Sequence, residues 1–238
     1  PDVNPPILGQ HGGTITGGRP LLIEGGPGTI YYTVNGEDPR RPGGALNPGA
    51  RVYEGSTTTE NLVSAGSVWK YLDDGSNQGT AWRQPDFDDG SWDSGPAELG
   101  YGDGNEVTTL SFGPNSNAKY PTTYFRRTFN AAEVADFSRL NIGLRRDDGA
   151  VIYLNGIEVA RSGMPAGVIS YLTNANSVAG GADETTFFNF EVSADALVEG
   201  ENILAVEIHQ VSGSSSDISF DLRLDGTKSS TENPLFLS

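Results

Sequence analysis

Two β-rich runs flank an Asn-Gly pair. Ala150-Val151-Ile152-Tyr153-Leu154 stands on one side of Asn155-Gly156, and Ile157-Glu158-Val159-Ala160-Arg161 on the other. Asn-Gly tolerates positive φ at both central positions of a two-residue type I′ turn, and that turn matches the twist of the strands beside it. The segment predicts a β-hairpin. A lone hairpin is barely stable in water, so further strands have to cover one of its faces.

The chain supplies them. Residues 123–129, 140–144, 187–192, 203–209 and 218–224 are short β-rich runs, and 29–34 is another that leads into Asn35-Gly36. The 32 Gly and 14 Pro punctuate these runs instead of forming a low-complexity tract. Helical periodicity is confined to one or two turns at 131–137 and 194–197. Many strands without a helical layer predict an all-β fold, two antiparallel sheets packed face to face.

Alternation sorts the side chains. On 203–209, Leu204, Val206 and Ile208 point to the core, leaving Ile203, Ala205, Glu207 and His209 on the other face. On 218–224 the core side is Ile218, Phe220, Leu222 and Leu224, with Ser219, Asp221 and Arg223 outside. On 123–129, Phe125 and Phe129 face inward with Arg127 between them, which then needs a partner because an unpaired buried charge is costly. Tyr124, Arg126 and Thr128 face out. The outward set of Tyr124, Arg126, Glu207, His209, Asp221 and Arg223 is expected to be a solvated sheet face or a binding face.

A formal charge of −16, from 31 acidic and 15 basic residues, repels phosphate backbones and anionic membranes, so nucleic acid is excluded as a partner. Neutral glycans and cations remain. No cysteine is present, which removes thiol catalysis, disulfides and Cys-type zinc sites. No apolar run approaches the ~20 residues that span a bilayer, so membrane insertion is not expected. The start, Pro1-Asp2-Val3-Asn4-Pro5-Pro6, has the look of a segment excised from a longer precursor, and a secreted or cell-surface location is expected. Residues 227–238 are expected to be a linker or tag.

Acidic pairs occur at Asp73/Asp74, Asp88/Asp89, Asp147/Asp148 and Asp183/Glu184. Glycosidase chemistry needs two carboxyl groups facing each other across ~5–9.5 Å, whereas adjacent Asp residues beside Gly are what turns select. Two histidines cannot build a zinc triad, and no G-x-S-x-G elbow occurs. An enzyme is therefore not expected. Calcium is a better use of Asp-rich loops, since it takes six to eight oxygens. Asp86, Asp88 and Asp89 are the first candidates, and Asp103 with Asn105 the second. For a sugar, flat rings offer stacking surfaces. Trp69, Trp82 and Trp92 are expected in the core, and Tyr101 and Tyr120, in Gly- and Asn-rich loops, as exposed platforms.

Several segments resemble known families. Asp86-Phe87-Asp88-Asp89-Gly90-Ser91-Trp92, Tyr124-Phe125-Arg126-Arg127-Thr128-Phe129, the run from Asp148 to Gly156 and the run from Glu199 to Val206 are similar, in that order, to segments of the sugar-binding jelly-roll domains of β-galactosidase-type glycoside hydrolases. WKYLDDGSNQGTAW, LGYGDG and AVEIHQ resemble the accessory version of this domain in large secreted bacterial proteins. The resemblance covers 66–224 and implies a galactose-binding-like jelly roll over 60–226. It carries no catalytic residues, because in those hydrolases the catalytic carboxylates lie in a separate barrel. Asp147-Asp148-Gly149 resembles the DDG of protective-antigen-like lectin domains, which implies an Asp pair holding calcium and sugar. Residues 1–58, with Gly12-Gly13-Thr14, the run from Gly28 to Arg40 and Val52-Tyr53, resemble the chitobiase/β-hexosaminidase C-terminal-type module, a small fibronectin-like sandwich. Further strands follow the tyrosine in that family. Here the chain passes to Leu62-Val63-Ser64, so the unit is expected to be incomplete.

The function these features imply is a non-catalytic carbohydrate-binding accessory module of a multidomain protein, with a glycan or polysaccharide and the neighbouring domains as partners. Its candidate sugar-binding residues are Tyr101, Tyr120, Tyr124, Arg126, Asp147, Asp148, Glu207 and His209. The alternatives are a structural or interaction spacer without a small ligand, and a hydrolase.

Overall fold

The computed structural model describes residues 7–8, 20–21, 23–24, 29–52, 56–230 and 235–236. The Gly12-Gly13-Thr14, Gly28 and Tyr53 parts of the N-terminal resemblance lie outside the described residues, as does the start of the chain. Two compact units are present, 1–58 with 228–238, and 59–227. In the first unit β1 (Ile7–Leu8) pairs with β3 (Ile23–Glu24), and β4 (Tyr31–Tyr32) pairs with β5 (Arg51–Val52). Of the strand expected over 29–34, the pairing covers Tyr31 and Tyr32. Beyond it the Thr33 hydroxyl donates to the Glu37 carbonyl and the Asn35 side chain accepts from the Glu37 N–H, which turns the chain. Between β1 and β3 along the chain lies β2 (Pro20–Leu21).

The second unit carries two six-stranded sheets. In chain order its strands are β6 (Ser56–Val63), β7 (Val68–Leu72), β8 (Asp93–Pro96), β9 (Leu99–Tyr101), β10 (Thr108–Thr109), β11 (Thr122–Ala131), β12 (Phe137–Asp147), β13 (Gly149–Leu154), β14 (Ile157–Ser162), β15 (Phe188–Val192), β16 (Gly200–His209) and β17 (Ile218–Ser230). One sheet runs β10-β9-β17-β12-β15, with β6 also on β17, and the other runs β14-β13-β16-β11-β7-β8. A final strand, β18 (Leu235–Phe236), pairs with β2, inside the stretch expected to be linker, and β17 runs past the expected end at 226. The architecture is an all-β sandwich. No helix among the described residues is long and apolar enough to cross a membrane.

The hairpin forms as its turn requires. Asn155 and Gly156 have φ of +50° and +83°, and the pairing slips by one residue at Ile152/Tyr153. The Asn155 side chain also fixes the neighbouring strand, accepting from Ile203 N–H at 2.9 Å and donating to Asn202 Oδ1 at 2.8 Å.

Alternation holds on the inner face. Phe125, Phe129, Leu204, Val206, Ile208, Ile218, Phe220, Leu222 and Leu224 all enter one buried cluster, where Phe220 stacks on Phe125 and meets Trp69 edge-on. Arg127 finds its partner in the Val68 carbonyl. The expected helical turns become a 3-10 turn at Val134–Asp136 and a tight turn from Ala194 to Leu197, while α1 (Ala182–Thr185) forms where none was foreseen.

The outer face of the β14-to-β8 sheet is not solvated. Trp82 and Trp92, from the segment between β7 and β8, pack there on Tyr124, Val151, Tyr153 and Ala205 together with Met164, Ile169 and Ala175 from the segment after β14. This second apolar layer buries β13 at every position and β16 from Asn202 to His209.

Candidate functional site

Beneath that layer lie four residues expected on an open face. Tyr124, Arg126, Glu207 and His209 are each at most 2 % exposed. Apart from His209 Nε2, their polar atoms are spent internally. Arg126 donates to Asp89 Oδ2 at 2.8 Å and to the carbonyls of Trp82, Gln84 and Phe87, so one guanidinium ties the covering segment to β11. Glu207 Oε1 accepts from Tyr153 Oη at 2.8 Å and from Arg83 at 3.2 Å, with the Arg83 guanidinium over the Tyr153 ring. Burial and the Glu207 charge push the Tyr153 phenol above its usual range. His209 Nδ1 contacts Thr122 Oγ1 at 3.0 Å and the Thr173 carbonyl at 2.8 Å. Its Nε2 lies 3.4 Å from Glu207 Oε2 without hydrogen-bond geometry. These contacts couple the covering segments to the sheet.

The aromatic platforms are absent from the positions expected. Tyr101 is buried in the sandwich core, its Oη accepting from Gln210 Nε2 at 2.6 Å. A short three-residue strand, β9, draws it inward, where the sequence suggested a loop. Tyr120 is half-buried and lies across Gly75 and Gly113, both at positive φ. A Cβ at either glycine would meet its ring at 2.3 or 2.7 Å. All three tryptophans are buried. No described Trp or Tyr stands exposed.

The loop carrying Asp86, Asp88 and Asp89 does not gather its carboxylates. Asp89 pairs with Arg126, Asp88 caps the Gly90 N–H at 2.9 Å, and Asp86 is exposed. Asn105 is exposed as well.

Acidic groups converge elsewhere, at one end of the other sheet. Strands β12 and β17 are neighbours, with Gly226 against Phe137 and Gly143 against Arg223, so they run in opposite directions and Asp147 ends beside the start of β17. Tyr101 of β9 pairs with Ile218, which brings the Asp103 loop to the same end. Arg145 of β12 donates to the Thr185 carbonyl of α1, which sets Glu184 above them. Among the described residues, Asp103, Glu184 and Asp217 are the set whose ligand oxygens lie within 4.8 Å of one another. An acidic cluster able to hold a metal ion is thus present.

Asp147 stands against Asp217, beside this cluster but outside the 4.8 Å set. Burial pushes its carboxyl up to about 10, with Asp148 and Asp217 beside it adding to the effect. Burial, Asp217 and Glu184 raise Asp103 as well. Asp148, joined to Asp147 by a cis peptide, behaves differently. Its oxygens accept from the Ala179 N–H at 2.9 Å, the Val211 N–H at 2.8 Å and Ser215 Oγ at 3.1 Å, which pins three loop segments. Sequence reasoning offered Asp103 as a calcium ligand and Asp147 as a sugar-binding residue, noted Glu184 only as half of an acidic pair, and did not offer Asp217 as a ligand. What unites them is the strand order β9-β17-β12, which no local pattern carries.

No protein-family model matches the chain, and no curated protein matches it. Among solved structures the chain is similar to a Bacteroides uniformis β-glucuronidase, at 17% identity and a TM-score of 0.46, over 72% of this chain and 18% of that one. It is similar to a β-glucuronidase of an uncultured Clostridium sp., at 18% and 0.44, over 74% and 30%. A third is a Ruminococcus gnavus β-glucuronidase in complex with D-glucuronic acid, at 11% and 0.44, over 71% and 29%. The chain spans less than a third of the length of each.

Proposed function

We propose that the chain is a non-catalytic accessory domain of a larger secreted or cell-surface protein, one that spaces and supports its neighbouring domains. One observation carries this reading. The groups that could have made a binding face on the sheet, Tyr124, Arg126, Glu207 and His209, are sealed under the Trp82–Trp92 layer, and no described Trp or Tyr is exposed as a stacking platform. The polar chemistry of that face serves internal cohesion. The full chain is then expected to leave chromogenic glycosides and phosphate esters unhydrolysed, and to raise the thermal stability of a neighbouring domain when expressed in tandem with it. Turnover of any of these substrates, abolished by Glu207→Gln, would overturn the reading.

Carbohydrate binding is the second reading, and one feature favours it. A groove of about 320 Å³ between β14 and the segment after β15 is lined by Glu158, Ser193 and Asp195 with Ile157, Val159 and Val192. That volume falls at the lower end of small-ligand sites, and carboxylates there would accept hydrogens from sugar hydroxyls. Calorimetry against plant, algal and host glycans decides between the two. Binding lost in Asp195→Ala establishes the glycan reading; no heat from any of them leaves the spacer.

A further inference from the structure

Asp147 closes β12 with its carboxylate 1 % exposed and with no hydrogen-bond donor on either oxygen. Burying such a group uncompensated is costly. Its neighbours make matters worse. Asp148 and Asp217 stand beside it, and Asp217 in turn meets Asp103 and Glu184. Arg146 is adjacent in the chain, but its Nε is taken by Ser162 Oγ at 3.0 Å and its guanidinium lies over the Phe188 ring. Its charge reaches Asp147, Asp148 and Asp183 only through space. Among the described residues, no cationic side chain bonds to Asp103, Asp147, Glu184 or Asp217.

We propose that Asp103, Asp147, Glu184 and Asp217 hold a single Ca²⁺ ion, which fastens the β9 loop, the end of β12, α1 and the start of β17 to one another. Oxygens bound to one calcium at about 2.3–2.6 Å lie at most about 5 Å apart. The 4.8 Å span of the Asp103, Glu184 and Asp217 oxygens meets that limit. Asp147 lies outside that span and reaches the set through Asp217; orphaned, it is the fourth carboxylate the ion would draw in. The donor set is all oxygen, which suits a hard cation over zinc or copper. Magnesium keeps several waters and takes one or two carboxylates, whereas calcium accommodates four with room for solvent. Asp103 is exposed, and Glu184 and Asp217 are half-buried, so water has access to complete the shell. Supporting contacts hold the ligands in place. Ser219 Oγ reaches Asp103 Oδ2 at 3.3 Å, and Gln210 Nε2 donates to the Asp217 carbonyl at 3.1 Å. Asp148 is not in the set, because its oxygens already accept from backbone N–H groups and Ser215.

The test uses the full chain, stripped with chelator and dialysed. Titration with CaCl₂ in a calorimeter is expected to give one ion per chain, with magnesium far weaker, and millimolar calcium to raise the melting temperature. Asp147→Asn and Glu184→Gln are each expected to weaken calcium binding roughly a hundredfold or more, beyond the loss typical of residues that only support a metal ligand. Glu184 sits on the one-turn α1, so its variant keeps the fold even if Asp147→Asn does not. Asp88→Asn should bind as the parent does. The proposal fails if the stripped parent takes up no calcium, if the Glu184 variant binds like the parent, or if binding is lost in Asp88→Asn instead.

Discussion

Under the tryptophan layer Arg126 meets Asp89 and three backbone carbonyls, and Glu207 meets Tyr153 and Arg83. At the β9-β17-β12 end, Asp147 is as deeply buried and meets only other carboxylates. Both regions take ionisable groups out of water. In the first the protein pairs both carboxylates, Asp89 and Glu207, with guanidinium groups of its own chain, and the result is a seam that closes a sheet face. In the second it supplies ligands of one sign, which is the arrangement of a region completed by something else. Buried polar groups are nearly always matched, so a cluster left unmatched points outward, toward a ligand.

The comparison breaks first if the layer is dispensable. Trp82 is fully buried and packs on Tyr124 and Tyr153, with ring centroids 4.8 and 5.8 Å away. Trp82→Ala is expected to cost about 3–5 kcal/mol in urea unfolding, as large-to-small changes at well-packed aromatic positions do. A loss below about 1 kcal/mol would mean that the segment between β7 and β8 is not part of the folded core. Arg126→Met comes next, at about 3 kcal/mol, because it leaves Asp89 and the carbonyls of Trp82, Gln84 and Phe87 without a donor. The rim should respond with the opposite sign. In chelator, Asp147→Asn is expected to raise stability by about 1 kcal/mol, since it places an amide N–H donor beside Asp217 where a buried carboxyl now meets no donor. If both substitutions destabilise equally, the two regions do not differ in kind.

The inner sandwich was legible because it is local. Asn155-Gly156 declares its turn, and the period of two on β16 and β17 places Val206 and Phe220 inside. The outer face was misjudged for an equally physical reason. Glu207, His209, Tyr124 and Arg126 look solvated if each strand is read alone, yet β13 already spoke against it. Its run from Ala150 to Leu154 is apolar at every position, the pattern of a strand covered on both faces, and Val151 and Tyr153 are the residues that face the second layer. Tyr101 went the other way, from expected platform to core, because a Gly-rich context hid a three-residue strand. Asp103, Asp147, Glu184 and Asp217 belong to segments distant in sequence, and only the order of strands brings them together.

The smallest effect is also the one that reports on the layer most directly. Burial raises the phenol of Tyr124 to about 12 and that of Tyr153 further still. In the unfolded chain both would ionise near about 10. Between those values the unfolded chain releases protons that the native protein keeps, so stability is complete below about pH 10 and declines as pH rises toward 12. Absorbance of phenolate near pH 11 in the folded protein should therefore fall short of the nine tyrosines present, with the remainder appearing on unfolding. In Trp82→Ala the cover over both rings is opened, and their ionisation should move toward the value of a free phenol. Tyr101, in the inner core, is raised by burial too and should titrate late in both proteins. If no further tyrosine of the variant ionises earlier than in the parent, it is the sheet and not the tryptophan layer that shields Tyr124 and Tyr153, and the distinction drawn between seam and rim loses its first half.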